Sequence, residues 1–291
     1  MIPVLSEHGA LASVLVKHAR DAFVSDSVIA SQWKQLNFSA PPDFSRALAE
    51  YDQFLEIVAG SGCEILSLSQ GKDLTLDSIY TRDASVVSAD GVIVASMGKG
   101  SRAAEPAQME EELRRHRWPI AGSIAPPGRL EGGDLVWLNQ KTLAVGLGAR
   151  TNDEGIRQLK ALLDNSIDEL IVVPLPDCPG QHDVMHLMSL ISPVDSDLAV
   201  VYSRLLPDAF RQRLLHRGCR FVDVPDEEFE TMGTNVLALR PRECVMLNGN
   251  PKTQAALEKA GAAVHVYDGR EISLKGGGGP TCLTRPLARL A

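Results

Sequence analysis

Seven residues near the C-terminus, Gly276-Gly277-Gly278-Gly279-Pro280-Thr281-Cys282, are the part of this 291-residue sequence best suited to chemistry. Consecutive glycines discard side chains and accept backbone angles that other residues avoid, which lets a ligand come close to the chain. The run reads either as a floor beneath a reactive thiol or as a flexible tether with an incidental cysteine. A thiol alone is a poor nucleophile near neutral pH, and a neighbouring histidine can activate it. That histidine must itself be held in orientation, commonly by a carboxylate.

Four other stretches supply such groups. Asp77-Ser78-Ile79-Tyr80-Thr81-Arg82-Asp83 puts two acids six residues apart, and Arg129-Leu130-Glu131-Gly132-Gly133-Asp134 sets two carboxylates around a glycine pair. Gly146 to Asn152 carries Arg150, and His182-Asp183-Val184-Met185-His186 carries two histidines. Cys282, His186 and Glu131 together make a thiol, a base and an acid to orient it. Asp77 and Asp83 suit a cationic substrate, because carboxylates match a planar guanidinium in bidentate geometry. Arg102 and Arg150 suit the carboxylate end of an amino acid by the same geometry reversed. Plainer readings exist for each. Glu131 and Asp134 could bond backbone amides in the Gly-Gly turn, and Asp83 could pair with Arg82 or Arg102 on a surface. His182 and His186, four apart beside an acid, also resemble the zinc-protease pattern, but that pattern needs Glu, a helix and a third ligand. Here the stretch reads as a loop entering a strand.

The elements that must position these residues recur in one order. Val86 to Met97 reads as a hairpin around Asp90-Gly91, followed by a helix over Glu105 to Arg115 and a strand over Pro119 to Ile124. Asp134 to Gly148 reads as a hairpin around Asn139-Gln140-Lys141. A helix capped at Thr151 or Asn152 then runs to Leu163, and a strand covers Glu169 to Pro174. The pattern repeats with a hairpin over Val184 to Tyr202 turning at Pro193 to Asp197, a helix from Pro207 to His216 and a strand from Arg220 to Val224. It repeats again with a hairpin over Asn235 to Leu247, a helix capped by Asn250 with Pro251 at its first position, and a strand over Ala263 to Tyr267. A fifth copy assembles from both ends of the chain: a strand over Leu11 to His18, a helix over Phe44 to Ala59, a strand over Cys63 to Leu68 and a partner strand around Cys282 to Pro286. Repetition of one unit predicts modules packed around an axis. The five hairpin ends would then bring the four stretches and Cys282 together.

Hydrophobic content of 44% and charged content of 23% are those of an ordinary soluble protein, and the length allows one sizeable core, taken here as a single domain over residues 1–291. No apolar run approaches the ~20 residues that span a bilayer. The N-terminal residues show no signal peptide, and five scattered cysteines (63, 178, 219, 244, 282) favour reduced thiols in a cytoplasm. A net charge of −8 gives no footprint for nucleic acid. Cys63, Cys178, Cys219 and Cys244 read as packing residues. His8, His18, His116, His216 and His265 read as structural or solvated.

At these residues the chain resembles the guanidino-group-modifying enzymes: arginine deiminase, dimethylarginine dimethylaminohydrolase and the amidinotransferases. Ser6 to Val16, Tyr80-Thr81-Arg82-Asp83, Glu131-Gly132-Gly133-Asp134, His186-Leu187 and Gly278-Gly279-Pro280-Thr281-Cys282 match the family's motifs in order. The resemblance implies an α/β fold, a five-module ββαβ propeller of pentein type around a central active-site axis. It implies that Cys282 attacks the guanidinium carbon to give a covalent thiouronium, with no cofactor. His186 would serve as acid and then base, oriented by Glu131. Asp83 would bind guanidinium nitrogens, and Asp77 the polar end of the substrate. Arg102 and Arg150, nineteen residues past Asp83 and Glu131, would be the carboxylate-binding arginines. Leu36 would lie in a mobile lid, and Gly276 would line the substrate. Partners are limited to a small guanidino substrate, with a homodimer left open.

Two departures bear on substrate. Arginine deiminases and amidinotransferases carry His-x-Asp where this chain has His186-Leu187-Met188, as the dimethylarginine enzymes also lack that acid. The dimethylarginine enzymes carry an acid where this chain has Arg82, which is nearer the deiminase version. The expected activity is hydrolysis of methylated arginine to citrulline and an amine, with arginine deimination, amidino transfer, a zinc metallohydrolase and a non-catalytic binding protein as the alternatives.

Overall fold

A computed structural model describes residues 4–176 and 185–291. The first sheet-forming segment is β1 (Ala10–Val16), followed by α1 (Ala19–Phe23), α2 (Asp26–Gln32), α3 (Phe44–Gly60) and β2 (Glu64–Ser67). Three complete hairpin-helix-strand units then follow: β3 (Ser85–Ser88), β4 (Gly91–Val94), α4 (Glu105–Arg115) and β5 (Ile120–Ser123); β6 (Leu135–Asn139), β7 (Thr142–Leu147), α5 (Asp153–Leu163) and β8 (Glu169–Pro174); and β9 (Ile191–Asp195), β10 (Leu198–Val201), α6 (Asp208–His216) and β11 (Arg220–Asp223). After α7 (Asp226–Phe229) comes a fourth, with β12 (Val236–Arg240), β13 (Glu243–Leu247), α8 (Pro251–Lys259) and β14 (Ala263–Tyr267), and the chain ends in β15 (Thr284–Leu290).

These strands form five three-stranded sheets of identical plan. In each, the first strand runs antiparallel to the middle one and the third runs parallel to it, reached through the helix. The fifth sheet is split, because β15 pairs antiparallel with β1, from Ala10 opposite Leu290 to Val16 opposite Thr284, while β2 pairs parallel with β1. Neighbouring sheets touch in cyclic order, through β15 with β3, the Ser96–Leu130 bridge between the segments after β4 and before β6, β6 with the turn ahead of β9, β9 with β12, and β12 with β1. The architecture is the expected α/β five-module propeller.

Burial along the strands follows from this plan. The middle strands β4, β7, β10 and β13 are almost wholly buried and read as continuous apolar runs, as strands covered on both faces must. The first strands are buried where they begin and open towards their turns, as in β6 and β12. Their beginnings therefore face the axis. α3 buries Ala47, Tyr51, Phe54 and Val58, a helical stripe against β1 and β14. No helix among the described residues is long and apolar enough to cross a membrane.

Some sequence expectations differ in detail. The turn between β9 and β10 is Ser196-Asp197 alone, because Pro193 sits inside β9, an edge strand where a missing donor is tolerated. Asn250 precedes α8, but its side chain does not cap the helix; its amide donates to the carbonyls of Thr231 and Leu247. The buried Glu228 takes over, accepting from the backbone of Lys252 and Thr253 at 2.7 and 2.8 Å. The short helices α1, α2 and α7, and a π-helical turn over Arg270–Leu274, were not anticipated.

Candidate active site

Each module delivers one polar side chain at the entry to its first strand. Asp83 stands two residues before β3, Glu131 four before β6 and His186 five before β9, while Cys282 stands two before β15. The fourth module contributes Asn235, immediately before β12. Asn235, Cys282, His186 and Asp83 line one cavity of about 770 Å³, and Glu131, which does not line it, is hydrogen-bonded to His186.

The cysteine is held by its neighbours. Asn235 Oδ1 accepts from the backbone N–H of Thr281 at 3.0 Å and from its hydroxyl at 2.8 Å. A backbone N–H can only donate, so the amide orientation is determined and Asn235 Nδ2 must point to the sulfur, 3.4 Å away. The Cys282 carbonyl accepts from the Arg82 N–H at 3.2 Å, tying the sulfur-bearing turn to the Asp83 segment. Burial, followed by the Asp83 charge, pushes the Cys282 thiol above its ordinary pKa, with the bonds from Asn235 and Thr281 opposing.

The glycine run has a steric explanation. A Cβ on Gly276 would stand 2.1 Å from the Tyr80 hydroxyl, and one on Gly278 would stand 2.4 Å from the Tyr80 ring. Tyr80 is anchored by its hydroxyl donating to the Ile272 carbonyl at 3.1 Å. The run is a packed floor, and the tether reading fails.

His186 Nε2 lies 2.8 Å from Glu131 Oε2, and its Nδ1 lies 3.8 Å from Asp83 Oδ1. Glu131 is fully buried, and its Oε1 accepts from the backbone of Gly98 and Lys99 at 2.9 and 3.0 Å while Arg150 Nη1 reaches Oε2 at 3.0 Å. Gly133 must be glycine, because a Cβ there would approach His186 Nδ1 to 2.6 Å and Asp83 Oδ1 to 2.7 Å. Asp134 accepts from the Thr151 hydroxyl at 2.6 Å and from the Leu187 N–H at 3.1 Å, which pins the residue after His186. Glu131 and Asp134 do bond backbone amides, but those of Gly98, Lys99 and Leu187; within the Gly-Gly turn the Gly133 N–H donates instead to Asp83 at 3.0 Å.

The charges reinforce this arrangement. Burial alone would lower the His186 pKa, but Asp83, Asp134 and Glu131 outweigh it and raise it to about 9. Burial opposes ionisation of Glu131, yet the His186 hydrogen bond and charge, with Arg102 and Arg150, hold it well below the usual carboxylate range. For Asp83, too, burial is outweighed, by His186 and Arg102. The site is thus an imidazolium flanked by two carboxylates. Asp83, Glu131 and His186 offer three ligand atoms within 4.8 Å of one another, but a dication there would face Arg102 and Arg150. Of the zinc-type pattern, His182 and Asp183 lie outside the described residues, as does Cys178, and His186 heads a 3-10 turn rather than an α-helix.

Not every predicted residue sits as expected. Arg102 is buried, and its Nη1, Nε and Nη2 are engaged by Asp83 at 2.5 Å, Glu105 at 2.7 to 2.8 Å and the Tyr80 carbonyl at 2.8 Å. It braces Asp83 instead of presenting a donor fork. The Leu36 side chain is packed in the core, 2% exposed, while Trp33, Lys34, Asn37 and Phe38 around it line the cavity. Its carbonyl accepts from Lys99 Nζ at 3.1 Å, and Lys99 also pairs with Asp77 at 3.0 Å. Asp77, Arg150, Gly276 and Met188 line the cavity. Sequence reasoning missed Asn235, Tyr80 and Lys99. Asn235 could have been found by asking which residue of the fourth module stands where Asp83 and Cys282 stand in theirs.

The arginine deiminase family model matches residues 73–218 and 206–289. The chain is 29% identical over 250 residues to N(G),N(G)-dimethylarginine dimethylaminohydrolase of Streptomyces coelicolor, covering 85% of this chain and 88% of that one. It is 27% identical over 267 residues to arginine deiminase of Mycobacterium tuberculosis, covering 77% of this chain and 64% of that one. Among solved structures it is similar to the Pseudomonas aeruginosa dimethylarginine dimethylaminohydrolase, a cysteine-to-serine mutant complexed with citrulline, with a TM-score of 0.76, 19% identity and coverage of 97% and 100%. It is likewise similar to the N-terminal domain of a cyanobacterial arginine dihydrolase bound to substrate, with a TM-score of 0.79, 16% identity and coverage of 95% and 98%.

Proposed function

Because the chain belongs to the arginine deiminase family, we propose that it hydrolyses the guanidinium group of an N-methylated arginine, giving citrulline and a methylamine. The observation that carries this reading is the convergence of Cys282 and the Asp83-His186 pair on one cavity, with Glu131 hydrogen-bonded behind His186. The substrate guanidinium lies between Asp83 and Cys282. Its positive charge offsets Asp83, the neighbouring charge that raises the Cys282 pKa, so substrate binding favours the thiolate.

The thiolate attacks the guanidinium carbon, forming a C–S bond and a neutral tetrahedral adduct. His186, protonated at neutral pH, gives its proton to the methylated nitrogen, and the C–N bond breaks to release the amine. The resulting thiouronium cation is then attacked by water, whose proton returns to His186. Collapse of this second adduct expels the Cys282 thiolate, and the hydroxyl proton passes to solvent, from which the amine released earlier takes one up as its ammonium ion. Glu131 keeps the imidazole aligned and favours its charged form.

The cavity wall suits a methylated nitrogen. Met188 is part of it, with Met185, Phe38 and Phe229. In place of a second carboxylate there is apolar surface, which favours a methyl over an N–H donor that would go unpaired. Arg150 and Lys99 supply positive charge for the amino-acid carboxylate, and Asp77 binds the polar end with them. Arg102 acts through Asp83.

Citrulline release from dimethylarginine, monomethylarginine and arginine should be compared for wild type and Cys282→Ser. The expected outcome is a higher kcat/KM on a methylated substrate and loss of turnover in Cys282→Ser. Turnover retained by Cys282→Ser would sink the thiol mechanism. Preference for unmethylated arginine would make the enzyme a deiminase by the same steps.

A further inference from the structure

A second cavity, of about 30 Å³, is lined by Glu7, Arg82, Trp137, Arg285, Leu287 and Arg289 among others. It has room for one or two water-sized spheres, at about 10–15 Å³ each. The three arginines are 1%, 5% and 3% exposed. Arginine is almost never buried so deeply unless its charge is matched.

Their donors can be followed one by one. Arg82 Nε donates to the Thr281 carbonyl at 2.9 Å and Nη1 to Glu7 Oε2 at 3.3 Å, but Nη2 finds no protein acceptor among the described residues. Arg285 Nη2 donates to the Arg82 carbonyl, and its Nε finds none. Arg289 Nη1 donates to the carbonyls of Gly9 and Ala238 at 2.6 and 2.9 Å, leaving Nε and Nη2 without acceptors. Glu7 is the one carboxylate that lines this cavity, and its other oxygen is the acceptor for the Trp137 N–H at 3.4 Å. Asp83, whose charge also acts on Arg285, is already held by Arg102 and the Gly133 N–H. Three cations thus face one carboxylate, with four guanidinium nitrogens unpaired. Burial, joined by the Arg82 charge, lowers the Arg285 pKa to about 9. Arg289 falls to about 10 through burial and Arg82, with Glu7 opposing. An anion in this cavity would relieve both effects.

We propose that this cavity binds a small monovalent inorganic anion of the halide class, with chloride as the natural occupant, through Arg82, Arg285 and Arg289. A halide is only slightly larger than water, which suits so small a cavity, and it accepts several charge-assisted N–H bonds at once. The site has a mechanical meaning. Arg285 and Arg289 belong to β15, whereas Arg82 adjoins Asp83 and bonds the Cys282 carbonyl through its N–H. A bound anion would fasten the closing strand to the segment that carries the substrate-binding acid.

The full chain should be melted in sodium chloride, bromide or gluconate at fixed ionic strength, and its crystals soaked in bromide for anomalous diffraction. Halide at ten times its dissociation constant should raise Tm by about 3 °C relative to gluconate, and an anomalous peak should lie within hydrogen-bond reach of the three guanidinium groups. Glu7→Gln removes the competing carboxylate and should lower the halide concentration at half-effect severalfold, while Arg285→Gln should abolish the response. If Arg285→Gln does not fold, Glu7→Gln carries the comparison. Equal melting in chloride and gluconate, water density without a bromide peak, or an unchanged halide response in Glu7→Gln would each overturn the proposal.

Discussion

His186 and Cys282 have opposite electrostatic problems, and the site answers each with a different neighbour. Asp83, Asp134 and Glu131 keep His186 charged up to about pH 9 against the effect of burial. In the proposed mechanism its proton is available to the departing amine across the neutral range and is lost as pH rises through about 9. kcat/KM should fall above that pH, and Glu131→Gln, which removes one of the raising charges, should move the alkaline limb to lower pH. A profile unchanged by Glu131→Gln would remove His186 as the acid. The same shift links to stability. The folded pKa lies above the ordinary 6.5, so the contribution is full below about pH 6.5 and disappears as pH rises through about 9. Cys282 is helped instead by a neutral donor, Asn235 Nδ2. Asn235→Ala removes that bond and leaves the thiolate with less stabilisation. The thiol pKa should rise further, and kcat/KM at neutral pH should fall about tenfold, the equivalent of one hydrogen bond of ~1.4 kcal/mol. The pH dependence of alkylation by iodoacetamide would show the shift directly.

The elements matter through where they begin. Five first strands start at the axis, and the residue types at those starts were legible where they made an unusual local pattern, as in Glu131-Gly132-Gly133-Asp134 or the glycine run before Cys282. Asn235 was not legible, because a lone asparagine ahead of an apolar strand carries no local signal and acquires meaning only from its place in the module. Leu36 shows the converse. Trp33, Lys34, Asn37 and Phe38 around it line the cavity, but the Leu36 side chain itself packs in the core, a direction that its place in the sequence does not announce. Glu228 capping α8 was illegible for another reason: the acid lies twenty-four residues before the amide it bonds, in a four-residue helix without a period to detect. The glycine run offers a test at this scale. Gly278→Ala forces a Cβ to 2.4 Å from the Tyr80 ring, so either Tyr80 or the cysteine-bearing turn must shift. A misplacement of about 1 Å can cost on the order of 100-fold in rate, while overpacking costs about 1–3 kcal/mol in stability. The expected result is a folded protein with kcat/KM down by about two orders of magnitude. Unchanged activity would mean that the floor is not what positions the sulfur.

At the scale of the molecule, the sequence order of the modules was readable because each repeats one hairpin, one helix and one strand, and periodicity survives errors at individual boundaries. The closure of the ring was readable only by arithmetic, as the missing partner of β1, and the strand that fills the place is longer than expected, reaching Leu290. What no local pattern revealed is the arginine cluster, in which Arg82 lies about 200 residues from Arg285 and Arg289 and meets them because the ring closes. The split module makes closure a matter of geometry rather than of chain connectivity. The Val4 N–H donates to the Arg289 carbonyl at 3.0 Å, so the two ends of the described chain lie side by side. A short flexible linker could join them without strain, and new ends could be opened in the exposed turn between β6 and β7, beside Gln140, where little is buried. In such a permutant the fifth module becomes continuous and the second becomes the split one. All five strand starts, and with them Asp83, Glu131, His186, Asn235 and Cys282, keep their places. The permutant should melt cooperatively and hydrolyse the same substrate within about an order of magnitude of the native rate, whereas a chain cut after Leu283, which retains every one of those five residues but loses β15, should do neither. Turnover by the truncated chain would show that Cys282 reaches the axis without ring closure, and an inactive but folded permutant would show that the native termini do more than meet.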